Sequence, residues 1–194
     1  MKKSMIKPKV NSSTVNFSNK YASVRTDNIT LKIETDDDVK KMQTDYIVVD
    51  SPDYIVCIVV DGKKLLIENQ FRYPIGGFNY EFVAGMVDEG YTPEETAIKE
   101  LKEEAGIVTD KVTMIGKIHP LAGQNSNTGY VFLCEDYKQE KKELEQYENF
   151  SHLTTEWIAI DEFNEKIASG KIKDGNALSS WALYCAYKGR FDYI

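Results

Sequence analysis

Short apolar runs with a period of two recur along the chain and give way in three places to a period near 3.6. Residues 1–20 are polar and without period, which predicts a loose tail. Residues 21–26 and 29–33 are β-prone and separated by Asp27-Asn28, which predicts a hairpin, and residues 34–41 are acidic and linker-like. Residues 46–49 and 54–60 predict strands parted by Ser51-Pro52-Asp53, and Asp61-Gly62 turns the chain into a strand over 64–68. A loop over 69–77 leads to a short strand over 80–83. Strands over 112–118 and 130–134 flank the polar loop HPLAGQNSNTG. Residues 138–147 are charged and exposed, and a strand over 156–160 runs into a short helix through 168 with Asp161 as N-cap. A last helix over 176–187 carries Leu178, Trp181, Ala182 and Cys185 at core spacing. The pattern is mixed α and β, with sheet strands flanked by about three helices.

The most informative stretch is GMVDEGYTPEETAIKELKEEAGI, residues 85–107. Thr92 reads as an N-cap, Pro93 fits the first helical position, Glu95 completes a capping box and Gly106 is the stop. Ala97, Ile98, Leu101 and Ala105 form one apolar stripe. Glu100, Glu103 and Glu104 gather along its edge, three and four residues apart, where like charges repel. Lys99 and Lys102 are expected to point away from them. A hard divalent cation relieves the repulsion, because oxygen ligands suit magnesium or manganese; a solvated charged face is the plainer alternative.

Composition narrows the classes. A chain of 194 residues suits one domain with a sizeable core. Its net charge of −7 disfavours nonspecific binding to nucleic acid or to an anionic membrane surface. A phosphorylated substrate stays compatible, since a bound metal inverts the local charge. Cys57, Cys134 and Cys185 are isolated, which predicts a reducing, cytoplasmic compartment. The basic N-terminus lacks the apolar stretch of a signal peptide, and no apolar run reaches transmembrane length.

The stretch resembles a Nudix box: Gly85, Glu100, Glu103, Glu104, Gly106 and Ile107 all fall in register. The family's first glutamate is Tyr91 here and its arginine is Lys99, which keeps the charge but loses the planar fork. The lead-in is similar to that of ADP-ribose pyrophosphatases and related nucleoside-diphosphate-sugar hydrolases, with Gln70 and Arg72 as a Gln-x-Arg pair and Glu81, Ala84 and Gly85 as Glu-x-x-Ala-Gly. The resemblance covers residues 46–194, and residues 21–45 match that subgroup's dimerisation strands.

What the resemblance implies is an α+β Nudix fold: an α/β/α sandwich with a mixed sheet and a small N-terminal β-hairpin subdomain. It implies magnesium-dependent (manganese being possible) hydrolysis of the pyrophosphate of ADP-ribose or a similar nucleotide sugar by a homodimer. Other nucleoside diphosphate derivatives, or nucleotide binding without turnover, are the alternatives. By position Glu100, Glu104 and the Ala84 carbonyl are metal ligands, and Glu103 supports the chemistry or ligates a second ion. The general base falls on Glu148, with Glu145 second. Arg72 is a phosphate contact, Glu81 a substrate hydrogen-bonder, and Asn127 a polar substrate contact at a position that is often acidic.

Overall fold

The computed structural model describes residues 8–34, 39–144 and 146–189. They divide into two units. The smaller holds three strands, β1 (Lys9–Ser18), β2 (Ser23–Glu34) and β3 (Val39–Asp50), in an antiparallel sheet of order β1-β2-β3. Residues 121–127 belong to it: the Val49 N–H donates to Gln124 O at 2.9 Å, and the Ser126 hydroxyl donates to Asp50 Oδ1 at 2.7 Å.

Two expectations fail here. The tail read over residues 1–20 contains β1, and the hairpin read at Asp27-Asn28 is one continuous strand. Both errors have one cause. Turn-forming side chains find partners across the sheet instead of in a turn. Asp27 accepts from Ser13 on β1, and from Arg25 of its own strand, while Asn28 donates to Asp45 Oδ1 at 2.7 Å and accepts from Asn11 at 2.9 Å. Such cross-strand pairs stabilise a sheet without any apolar alternation. Of the acidic linker, residues 35–38 lie outside the described residues.

The larger unit is built on β4 (Tyr54–Asp61), β5 (Lys64–Arg72), β6 (Gly77–Glu81), β7 (Val83–Met86), helix α1 (Pro93–Ala105), β8 (Ile107–Val108), β9 (Thr113–Ile118) and β10 (Gly129–Cys134). It is completed by β11 (Lys138–Gln139), α2 (Gln146–Phe150), β12 (Thr154–Ala159), α3 (Ile160–Ala168) and α4 (Gly175–Tyr187). The main sheet runs β12-β5-β4-β10-β9, with β6 on β5 and β7 on β4; β4 and β10 are parallel and the other pairs antiparallel. The sheet is therefore mixed, as expected. Strand β5 extends past residue 68 to Arg72, and the strand read over 80–83 is two strands broken at Phe82.

The central strands are apolar on both faces, which marks a sheet covered on both sides. Val56, Ile58 and Val60 of β4 pack with Phe163 of α3 and Trp181 and Tyr184 of α4. The alternate residues Ile55, Cys57 and Val59 pack with Ala97, Leu101 and Ala105 of α1. The stripe read on the helix is thus the face it buries. Leu101 has no exposed surface, so Leu101→Ala is expected to destabilise the fold by about 2–5 kcal/mol through lost transfer energy and the cavity left behind. Denaturant titration measures this, and a loss under about 1 kcal/mol would contradict the packing.

Helix α3 starts earlier than expected. Its N-cap is Ala159, with no side-chain cap, and Asp161 sits in its first turn, where a negative charge still complements the helix dipole. Asp174 caps α4 by accepting the Ala177 N–H at 2.7 Å. Among the described residues no helix is long and apolar enough to cross a membrane.

Candidate active site

Helix α1 is locked at both ends. Thr92 Oγ1 accepts from the Glu95 N–H at 3.2 Å, and Glu95 Oε2 accepts from the Thr92 N–H at 2.8 Å, the reciprocal capping box expected from the sequence. The Thr92 N–H holds the Glu95 carboxyl below its ordinary range. At the other end Gly106 has φ +66°, and a Cβ there would lie 2.3 Å from the Glu140 carbonyl oxygen. The helix therefore starts and stops at fixed residues, which fixes where its glutamates project.

Strand β7 sets the opposing wall. Ala84 and Gly85 pair with Val56 and Ile55 of β4. The Glu100 carboxyl lies against the bare Cα of Gly85, where a Cβ would come within 2.5 Å of Glu100 Cδ and Oε1. The glycine is thus a seat for this carboxylate, a close approach that any side chain would block.

A cavity of about 450 Å³ opens between these elements. Tyr54, Gln70, Arg72, Ala84 and Gly85 line it from the sheet, and Lys99, Glu100, Glu103 and Glu104 line it from α1. The four oxygen-bearing residues expected to ligate a metal therefore line the same cavity as Arg72. Glu104 is only 8% exposed. Burial, followed by the neighbouring Cys134 and then Glu104, Glu100 and Glu68, pushes the Cys57 thiol well above its ordinary range.

Lys99 departs from expectation, whereas Lys102 points away from the cluster as expected. Lys99 Nζ lies 3.2 Å from Glu103 and 3.9 Å from Glu100, and Lys102 lies 3.7 Å from Glu143. The cluster is partly neutralised by its own helix, because Lys99 reaches forward one turn to Glu103. Among the described residues no three His, Cys, Asp or Glu side chains converge as a ready-made metal cage. The donor set nevertheless fits a hard divalent cation: it is all oxygen, with no histidine or cysteine lining the cavity.

Arg72 and Glu81 form one unit. Arg72 Nε donates to Glu81 Oε1 at 2.8 Å and Nη2 to Oε2 at 2.6 Å, a bidentate pair across the β5–β6 ladder. Asn127 belongs to the smaller unit, is 9% exposed, and donates to Pro52 O at 3.3 Å. Glu148 lies on α2, but its side chain is outside the described residues, as is Glu145 altogether.

Three polar residues of this region escaped the sequence reading. Glu68 is 3% exposed, directly opposite Glu81 in register, with Oε1 buried and making no hydrogen bond. Burial, and then the Glu81 charge, pushes its carboxyl up to about 8. Its signal was available: a lone acid inside the apolar run of β5, in phase with Gln70 and Arg72. Asn79 and Asp174 gave no comparable signal; Asn79 Nδ2 donates to Glu81 Oε1 at 3.1 Å and to Asp174 Oδ2 at 3.3 Å, joining residues 95 positions apart.

The NUDIX domain family model matches residues 51–178. An ADP-ribose pyrophosphatase of Bacillus subtilis (strain 168) is 36% identical over 95 residues, which are 48% of this chain and 51% of that protein. A CMP-5'-(N-acetyl-N-hydroxy-3-aminopropyl)phosphonate hydrolase of Streptomyces rubellomurinus is 24% identical over 132 residues, 66% of this chain and 62% of that protein. The first of these matches thus spans about half the relative's own length. A crystal structure of an ADP compounds hydrolase superposes with a TM-score of 0.74 at 16% identity, covering 97% of this chain and all of that one. That likeness carries the fold.

Proposed function

This chain belongs to the NUDIX domain family, and from that premise we propose that it is a hydrolase of the pyrophosphate bond in ADP-ribose or a related nucleoside diphosphate sugar, working with magnesium. One observation carries the reading: a single cavity lined by Arg72 together with Ala84, Glu100, Glu103 and Glu104. A guanidinium matches the geometry of a phosphate, and a row of oxygen donors suits the cation that accompanies it.

In this reading water attacks one phosphorus of the bridge, the P–O bond to the other phosphate breaks, and AMP and a sugar phosphate leave. Bound magnesium supplies charge neutralisation and a more acidic water. The chain's residues do the rest. Ala84, Glu100, Glu103 and Glu104 would hold the ion, with Glu100 already seated on Gly85. Arg72 would take the diphosphate while keeping one edge on Glu81. Glu148 is proposed as the proton acceptor on the strength of its position in the chain, and Asn127 as a polar substrate contact. The B. subtilis relative supports ADP-ribose, and the Streptomyces one a different nucleotide-linked substrate.

Lys99 favours a second reading. Its ion pairs with Glu103 and Glu100 give the cluster a cation of its own, as a domain that binds nucleotides without turnover would tolerate. A substrate panel separates the two: ADP-ribose, GDP-mannose, UDP-glucose, NADH and diadenosine polyphosphates, each with and without magnesium. AMP release from ADP-ribose that requires magnesium is the expected outcome. No release from any of them would sink the hydrolase reading.

A homodimer is part of the proposal. The β1–β3 sheet exposes Val10, Val15, Phe17, Met42 and Ile47, each more than half accessible, and apolar surface of this kind suits a partner. The buried positions of Cys57, Cys134 and Cys185, each a small core side chain, support a reducing, cytoplasmic setting.

A further inference from the structure

Asn79 sits two residues from Glu81 on β6, so the two side chains share a face of the strand. Its amide nitrogen donates to Glu81 Oε1 at 3.1 Å and to Asp174 Oδ2 at 3.3 Å. Both acceptors are engaged further on. Glu81 holds Arg72 through two hydrogen bonds, and Asp174 uses its other oxygen to cap α4 through the Ala177 N–H at 2.7 Å. The start of α4 is tied to the cavity a second time, since Tyr54, which lines it, donates its hydroxyl to Asn176 Oδ1 at 2.8 Å. A chain of hydrogen bonds therefore runs from the first turn of α4, whose Trp181 and Tyr184 are in the core, to the guanidinium facing the cavity.

We propose that Asn79 is a positioning residue for Arg72, anchored by Asp174 on α4; this rests on the reading that Arg72 receives the diphosphate. The chemistry requires an amide at this place. Two carboxylates this close repel, and one NH₂ group carries two hydrogens without a charge, so it can serve both. A hydroxyl has one hydrogen, and an acid would add a third negative charge. With Asn79 in place Glu81 is held from both sides, and Arg72 meets the ligand with its rotamer already chosen, which lowers the ordering cost of binding.

The test uses the full chain and the uncleavable methylene-bridged analogue of ADP-ribose, with magnesium, by calorimetry, alongside KM and kcat for ADP-ribose. Asn79→Ala is expected to weaken binding about tenfold and to raise KM by a similar factor with kcat little changed. Asn79→Asp, of the same size, gives at least the same loss if the alanine variant folds poorly. Asp174→Asn replaces one of the two acceptor oxygens with an NH₂ group, so it loses either the helix cap or the acceptor for Asn79 and is expected to weaken binding in the same direction as Asn79→Ala. In an Arg72→Ala background Asn79→Ala is expected to add nothing, because coupled residues are non-additive. Wild-type affinity in Asn79→Ala and Asn79→Asp, or full additivity with Arg72→Ala, overturns the positioning role while leaving the site intact. Failure of wild type to bind the analogue overturns the assignment of Arg72 and the proposal with it.

Discussion

Glu104→Gln is expected to lower kcat about 10²–10³-fold, the scale on which loss of one preorganised electrostatic group acts, while the fold survives. Glutamine has the same shape, so the 8% exposed side chain keeps its packing at the edge of the α1 stripe. Removing one charge also relieves the repulsion with Glu100 one turn away, worth a few tenths of a kcal/mol. Stability is therefore expected to be unchanged or slightly higher. What is lost is one oxygen donor's charge on the wall where the ion is proposed to sit. A second readout is independent of turnover: an ion that binds only the folded state raises Tm with its concentration, and this rise is expected in wild type and to be much reduced in the variant. Unchanged kcat together with an unchanged response of Tm to magnesium would refute the metal assignment.

The second large effect concerns Glu68 and pH. Its carboxyl is pushed up to about 8 in the fold, first by burial and then by Glu81 across the ladder, from an ordinary value of 4.5. Below 4.5 both folded and unfolded chains hold the proton, and the residue carries no penalty. Between 4.5 and about 8 the unfolded chain releases the proton while the folded one keeps it, so stability falls as pH rises. Above that window both forms are ionised and the full cost remains, on the order of a few kcal/mol. Glu68→Gln removes the dependence. The variant is expected to match wild type in Tm near pH 5 and to exceed it clearly near pH 8.5. An equal difference at both pH values would show that the residue's charge is not what the fold resists.

Where the chain could be read without its structure, the information was local. Helix α1 needed only Thr92, Pro93, Glu95 and Gly106 to set its ends and Ala97, Leu101 and Ala105 to set its buried side, all within 15 residues. The strands of the main sheet were visible because burial on both faces leaves unbroken apolar runs. The polar sheet β1–β3 was not visible, because the partners of Asp27 and Asn28 lie 14 and 17 residues away. The orientation of Lys99 was misjudged because it depends on a rotamer and not on the helical wheel. Arg72 and Glu81 were both singled out but assigned separate tasks; that they form one pair, and that Asn79 and Asp174 stand behind it, follows only from the ladder and the placement of α4.

The pairing of β4 with β10 has a consequence for how this molecule is made. It joins Tyr54 to Gly129 and Val59 to Cys134, in a parallel alignment that no tight turn can produce. Everything between, including α1 and the strand that seats Glu100, must be threaded into one closed loop before those hydrogen bonds form. Closures of this length are the slow, entropically costly steps of folding, whereas a capped helix forms from nearby residues. On a growing chain the residues of α1, with its three glutamates, are synthesised before Gly129. The strand on which Ala84 and Gly85 rest, β4, gains its second central neighbour only afterwards, so the surroundings of the carboxylates are completed by the part of the chain made last.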